Sequence, residues 1–321
     1  MLARALEGLG HQVVIETPRL HLPVYTLERL LFNRTLRSAS DFDVTVGFDM
    51  DGYRIADVAS LKGVIADEVR FESGLTRLTM GWQARCERLH VERARRVLCT
   101  SRYSAGRAQE FYGLEQPPCI VPELIDLRQW RRALAACPAD SAAFTLLFVG
   151  RFYRRKRLDV LLDAAAKLRA RIPDLKLRIV GGGPCRSKLH ALARGLNLED
   201  TVAWLGDVSR AELAREYNRC HVFCLPSVQE GFGIVLLEAM AAGKAIVASR
   251  AAAIPETAPH ALLVEPDSSE SLAAGIESLY RFPEMRNAQA AAGLRWVEQF
   301  DAPRVARVFV AALAESRATC I

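Results

Sequence analysis

No apolar run in the 321-residue chain approaches the length of a membrane span, and the opening MLARALEGLGHQ lacks the basic and apolar regions of a signal peptide. Both absences point to a soluble, cytoplasmic protein that is at most peripheral to a membrane. The eight cysteines, at positions 86, 99, 119, 137, 185, 220, 224 and 320, form no CxxC pair. They and the six histidines show no zinc spacing, which leaves reduced thiols as the reading. The glycine cluster IVGGGPC (179–185) has neither the GxGxxG spacing of a dinucleotide fold nor the Lys-Ser/Thr ending of a P-loop, which counts against an NTPase. A tight strand-to-helix turn explains those glycines equally well. Tandem repeats and low-complexity tracts are absent too. No metal and no cofactor are expected.

What is present is ample core material. Half of the residues are hydrophobic and 25% are charged, as in a soluble globular protein, and the length suits two domains better than one. The formal charge is +6 and the pI about 9.0, which favours an anionic partner: a phosphate compound, nucleic acid or an acidic membrane face. Nucleic acid is the weakest of the three, because no aromatic stacking platform accompanies the cations.

The second half alternates regularly. Apolar runs at 145–151, 175–182, 202–206, 222–227, 245–249 and 261–266 read as buried strands, with amphipathic helical stretches between them. This pattern predicts a parallel sheet covered on both faces. The first half repeats the theme less cleanly, with strands expected at 12–17, 43–49, 61–67, 96–101 and 119–124. A long helix is expected from Leu75 to Ala94, carrying an arginine-rich face that either rests on anionic lipid or is simply solvated. The seam is expected in ALAACPADSAAF (133–144). The expected organisation is therefore a doubly wound domain over 1–140, a second over 141–300, and a helix over 301–321 that caps the second domain or crosses back to the first. A cleft between two such domains suits an enzyme with two substrates.

Two stretches carry the candidate chemistry. In VGRFYRRKRLD (149–159), five cations fall within the seven residues from Arg151 to Arg157, just past a strand end. Ligands of doubly wound sheets sit there, and Arg151 and Lys156 on either side of a turn can pinch a diphosphate. In PSVQEGFGIVLLEAMAAG (226–243), a strand is followed by a glycine-bearing loop and a helix. The amides of Phe232, Gly233 and Ile234 lie at the helix start, where unpaired N–H groups and the dipole favour an anion, and Gly231 and Gly233 permit close approach. Glu238 lies five residues beyond Gly233, roughly 7.5 Å along the axis, with its side chain tilted back toward that start. It is suited to grip a pair of sugar hydroxyls of a nucleotide, while Glu230 faces what is attached beyond the phosphates.

The segment EGFGIVLLEAMAAGKAIVAS (230–249) resembles the Glu-x7-Glu signature of the retaining family-4 glycosyltransferases, which have the GT-B fold: two doubly wound, Rossmann-like domains facing a cleft. GRFYRRKRLDVLLDA (150–164), IVGGGP (179–184), WLGDVSRAELAREYNRCHVFCLPS (204–227) and 93–130 are similar to further segments of that family. The resemblance implies a hexosyl- or other glycosyltransferase that moves a sugar from a nucleotide-diphosphate sugar to an acceptor with retained configuration and without a metal. By the same resemblance Arg151 and Lys156 would stabilise the leaving diphosphate, and Glu238 would hold the ribose. Glu230, with Gly231, Phe232, Gly233 and Ile234, would orient the donor sugar, and Gly206, Asp207 and Val208 would border the base. The first domain would be the acceptor side, its acceptor being a glycan, a lipid-linked or a small molecule.

The chain also departs from the family. The family's first strand and glycine loop are expected to be missing before Met1, the linker reads Pro-Glu-Leu-Ile-Asp where Pro-Asn-Gly-Ile-Asp is usual, and Ala251–Ala253 stand where glycines are common. The histidine that many relatives carry near VIADEVRF (64–71) is absent as well. A second reading follows from these departures: a protein that binds the nucleotide sugar without turning it over. Asp41-Phe-Asp43 reads as the polar lead-in to a strand rather than as an Asp-x-Asp metal motif.

Overall fold

A computed structural model describes residues 1–19, 22, 24–36, 42–138 and 141–314. Asp41 of the lead-in, residues 139 and 140 of the expected seam, and the expected C-terminal helix beyond Ala314 lie outside the described residues. The chain divides into two compact units, Met1–Leu124 with the C-terminal helix Ala302–Ala314, and Ile125–Asp301. The divide at Leu124/Ile125 falls earlier than the expected seam. The helix Leu127–Ala136 belongs to the second unit because Leu127 and Trp130 are buried in its core beside Tyr217 and Phe223.

The first unit holds a four-stranded parallel sheet, β1 (Val46–Phe48), β2 (Val58–Leu61), β3 (Arg96–Cys99) and β4 (Cys119–Ile120), in that spatial order. Two expected strands are corrected here. Residues 12–17 join no ladder among the described residues, and Val14 and Ile15 are exposed. β-branched side chains without a face to bury against do not make a strand. The stretch 61–67 supplies only the end of β2. Its buried run begins at Val58, and Ile65–Glu68 is helical, with the Ile65 amide donating to Glu87 (2.8 Å). The helix Gly74–Arg93 runs where a long helix was expected. The C-terminal helix packs Val305 and Phe309 against Val58, Leu98 and Val121, and Arg96 donates to its Ala312 carbonyl (2.6 Å).

The second unit holds six parallel strands at the six expected places: β5 (Thr145–Val149), β6 (Lys176–Val180), β7 (Val202–Gly206), β8 (Val222–Leu225), β9 (Ala245–Ser249) and β10 (Leu262–Val264). Their spatial order is β10-β9-β8-β5-β6-β7. Every residue of β8 and β9 is buried, as expected for strands covered on both faces. The chain starts the sheet at β5, builds outward through β6 to β7, then returns to place β8 on the other side. The strand order therefore reverses between β5 and β8, and a doubly wound sheet opens a ligand crevice at the carboxyl ends of such a pair.

One half-buried acid of the first unit yields a pH test. Asp49 follows β1 with φ 51°, accepts the Lys62 amide on Oδ1 (2.7 Å), and its carboxyl is pushed up from 3.8 to about 6, mainly by burial, with Glu68 adding to it and the Lys62 bond opposing. Below pH 4 both folded and unfolded chains hold this proton. Between roughly pH 4 and 6 only the folded chain does, so this group's contribution to stability is lost as pH rises through that window. Asn tolerates the left-handed backbone and can keep the amide contact. Asp49→Asn is expected to leave stability unchanged at pH 4 and raise it by about 1–2 kcal/mol at pH 7.5, read by urea unfolding at both pH values.

Candidate functional site: a charged crevice between β5 and β8

The loop after β5 carries the five cations, and each has a different environment. Arg151 is exposed and makes no ion pair among the described residues. Arg154–Lys156 form one 3₁₀ turn, and Arg157 closes it in the left-handed conformation (φ 48°), bound to Asp159 and to Asp267 (2.7 Å). Arg155 points inward. Its Nε donates to Gln229 Oε1 (3.0 Å), its guanidinium lies 4.9 Å from the Tyr153 ring centroid, and its carbonyl accepts the Val228 amide (2.9 Å). The run is thus not a uniform solvated loop.

The glycine cluster after β6 serves this loop. A Cβ on Gly181 would lie 2.2 Å from the Gly150 carbonyl oxygen, and one on Gly183 would lie 2.7 Å from the Phe152 amide nitrogen. The glycines let two loops run in contact. Phe152 N–H donates to the Gly182 carbonyl (2.9 Å), and Cys185 N–H donates to Phe152 (3.0 Å). Besides the tight turn expected of them, these glycines permit a close approach of two backbones.

The loop after β8 meets the basic loop at Glu230. Lys156 Nζ and Glu230 Oε1 are 2.6 Å apart, with side chains 16% and 7% exposed. Gly233 (φ 88°) turns the chain into the helix Ile234–Ala241; its carbonyl accepts the Leu236 amide (2.9 Å), which leaves the Ile234 and Val235 amides as the first-turn donors without an acceptor in the helix. Phe232 is buried edge-on against Phe300, and its carbonyl accepts from Thr257 Oγ1 (2.8 Å). The Glu230 carbonyl accepts the Ala253 amide (3.3 Å), so Glu230 is held by backbone as well as by Lys156.

Glu238 is half-buried on that helix, and its Oε2 accepts from Tyr217 (2.9 Å). Burial raises its carboxyl above the ordinary range, and the Tyr217 bond and Arg210 partly offset this. Trp130 donates its indole N–H to the Glu238 carbonyl (3.1 Å) and stacks edge-on against Tyr217. Gly206 (φ 66°) ends β7 and accepts the Gly181 amide (2.8 Å). Asp207 beside it is exposed, and Val208 packs on the core. Strands stand about 4.8 Å apart, so Gly206, two strands from β5, lies about 10 Å along the sheet from the basic loop.

Of the expected residues, the fold brings Lys156 and Glu230 into contact and stations Gly231–Ile234 beside them. Glu238 stands one to two turns along the helix with a partner of its own. Sequence reasoning missed Arg155, Gln229, Tyr217 and Trp130, all buried or nearly so. Gln229 next to Glu230 was the one available signal, a polar residue inside an otherwise apolar and glycine-rich strand exit. Among the described residues no group of three or more His, Cys, Asp or Glu side chains converges as a metal cluster. In the first unit, a cavity of about 210 Å³ is lined in part by Phe48, Asp49, Lys62, Glu68 and Gln83.

Two units, each built on a parallel α/β sheet, match the GT-B fold. The chain belongs to the glycosyl transferases group 1, whose family model matches residues 136–296. Among curated relatives, it is 33% identical over 209 residues to a D-inositol 3-phosphate glycosyltransferase of Pseudarthrobacter chlorophenolicus, covering 61% of this chain and 50% of that protein. The chain spans about half the length of the curated relatives it matches. Among solved structures, WaaG, a glycosyltransferase of lipopolysaccharide biosynthesis, matches with TM-score 0.73 and 21% identity over 97% of this chain and 93% of that one. The Anabaena protein HepE in complex with UDP-glucose matches with TM-score 0.67 and 21% identity over 80% and 72%. At these identities the two structures establish the fold alone.

Gln229→Ala would leave the buried Arg155 Nε without its acceptor. The variant is expected to lose about 1–3 kcal/mol of unfolding free energy in urea, whereas an exposed-loop glutamine would lose almost none.

Proposed function

We propose that the chain transfers a sugar from a nucleotide-diphosphate sugar to an acceptor, retaining the anomeric configuration and using no metal ion. The observation that carries this reading is the Lys156–Glu230 pair at the β5/β8 reversal, beside the start of the Ile234–Ala241 helix. A buried ion pair costs desolvation and stabilises a fold weakly, so its place at the ligand crevice calls for a functional reason. An incoming diphosphate supplies one. Its oxygens take over Lys156, and the first-turn amides and Arg151 complete the anion site. Released from the ammonium, Glu230 turns to the sugar beyond the phosphates. Glu238 takes the ribose hydroxyls, and Gly206–Val208 border the base. The binding of UDP-glucose by HepE, a protein of the same fold, supports a nucleotide-sugar donor.

Charge stabilisation drives the proposed chemistry. As the bond from the anomeric carbon to the diphosphate breaks, negative charge grows on the leaving oxygen, and fixed cations stabilise it without reorganising. The acceptor hydroxyl adds to the anomeric carbon from the same face, and its proton passes to the departing diphosphate oxygen on that face. We assign the acceptor to the first unit, where the carboxylates and the Gln83 amide of the cavity suit hydroxyl groups.

Calorimetry with UDP, GDP and ADP tests the donor half. Lys156→Ala is expected to weaken the nucleotide that binds by about tenfold or more, as a charge-assisted bond of roughly 1.5–3 kcal/mol requires. Glu230→Gln is expected to leave that affinity equal or tighter, because it frees Lys156, while lowering turnover of the intact donor. Equal weakening by both substitutions would remove Glu230 from the sugar. Glu238→Gln keeps an acceptor for Tyr217 but loses the buried charge. It is expected to raise the Tm while weakening nucleotide and donor alike by about tenfold. Transfer is expected to survive EDTA, and loss with EDTA followed by rescue with manganese would contradict the metal-free reading.

A further inference from the structure

The helix Gly74–Arg93 has more apolar surface than its unit uses. Met80, Cys86 and Val91 bury one face of it. On the other side, Leu75 is 76% exposed, Leu78 68%, Trp82 59% and Leu89 46%. At about 100° per residue these four fall within an arc of about 60°, and at about 1.5 Å per residue they form a stripe about 21 Å long. The neighbouring helix Tyr25–Thr35 is tied to this one by Gln83 donating to Thr26 (2.6 Å), on the side of the helix away from these four residues. Arg85 and the buried Cys86 separate Trp82 from Leu89, so Leu75, Leu78 and Trp82 form the compact part of the stripe. Large apolar side chains aligned on one exposed face mark an interaction surface, whereas scattered exposed leucines do not.

One flank of it is cationic. Arg85 adjoins the stripe and its guanidinium lies 5.5 Å from the Trp82 ring centroid, Arg88 and Arg77 are exposed further round the same flank, and Arg93 is exposed at the stripe's C-terminal end. The exposed acid of the helix, Glu92, is 3.8 Å from Arg88. Leucines in a line, a tryptophan carrying an arginine on its face, and arginines along the edge match the depth profile of a bilayer surface. Acyl chains take the leucines, the interface takes the indole, and anionic headgroups take the guanidinium groups. Nucleic acid would leave the leucines in water, and a protein partner would need an apolar groove rimmed with acids. Among the described residues no helix is long and apolar enough to cross a membrane, so such contact lies in the interface plane.

We propose that the Leu75–Leu89 stripe docks this chain onto an anionic lipid bilayer, independently of whether the donor reading above holds. The full chain is tested by co-sedimentation with vesicles of equal parts phosphatidylcholine and phosphatidylglycerol, and with phosphatidylcholine alone. Binding is expected on the mixed vesicles and about tenfold or more weaker on the neutral ones. Arg85→Glu with Arg88→Glu, and separately Leu78→Glu with Trp82→Glu, should each lower binding by about tenfold or more with the circular-dichroism melt unchanged. Should an acidic variant unfold, brominated lipid decides. It should quench tryptophan fluorescence in the wild type, and Trp82→Phe, which keeps the other three tryptophans, should remove that quenching. No sedimentation of the wild type, or quenching that survives Trp82→Phe, would overturn the proposal. So would a concentration-dependent dimer that Leu78→Glu with Trp82→Glu dissociates while vesicles bind neither form.

Discussion

The ion pair between Lys156 and Glu230 is the interaction around which the second unit is arranged. With both side chains largely withdrawn from water, each charge would be costly alone, and the contact at 2.6 Å offsets that cost without making a strong net contribution. Such a pair is bistable by nature. An anion of higher charge density can take the ammonium, and the carboxylate is then free to accept from a hydroxyl. A site that needs a cation for a diphosphate and a carboxylate for a sugar can store both in this way until the ligand arrives.

Everything nearby keeps the two groups at that spacing. The sheet order sets the β5 and β8 loops side by side, and Arg155 clips them together through Gln229 and the Val228 amide. Gly181 and Gly183 let the β6 exit run against the basic loop from below, which fixes Phe152 and therefore the turn that carries Lys156. On the other side, Phe232 and the Ala253 amide anchor the chain around Glu230. These contacts are backbone bonds, buried rings and one buried side-chain bond, the less adjustable parts of a fold, and a preorganised charge site requires that rigidity.

The second unit was legible because strands buried on both faces leave continuous apolar runs, and helices between them leave a different period. All six strands and the places of the loops after β5 and β8 follow from that. The first unit was less legible for a physical reason. Its strands are two to four residues long, so Val14 and Ile15 in an unpaired segment look as strand-like as Val58–Leu61. The residue pattern, and then the family resemblance, supplied Lys156 and Glu230 individually, but their contact spans 74 positions of sequence and depends on the reversal of strand order. Gln229 left only its polarity as a signal, and Tyr217 and Trp130 were invisible because their roles arise from what faces them. Nothing in the local sequence marks Tyr217 as the partner of Glu238.

A double-mutant cycle tests the central claim most directly: Lys156→Ala, Glu230→Gln and the double variant, unfolded in urea without nucleotide and at saturating UDP or GDP. If the pair is a poised site, the two residues couple by about 1 kcal/mol or more in the free protein, and the coupling collapses when the diphosphate claims Lys156. Coupling that is the same size with and without nucleotide would show a structural bridge that the ligand never opens, and would contradict the account.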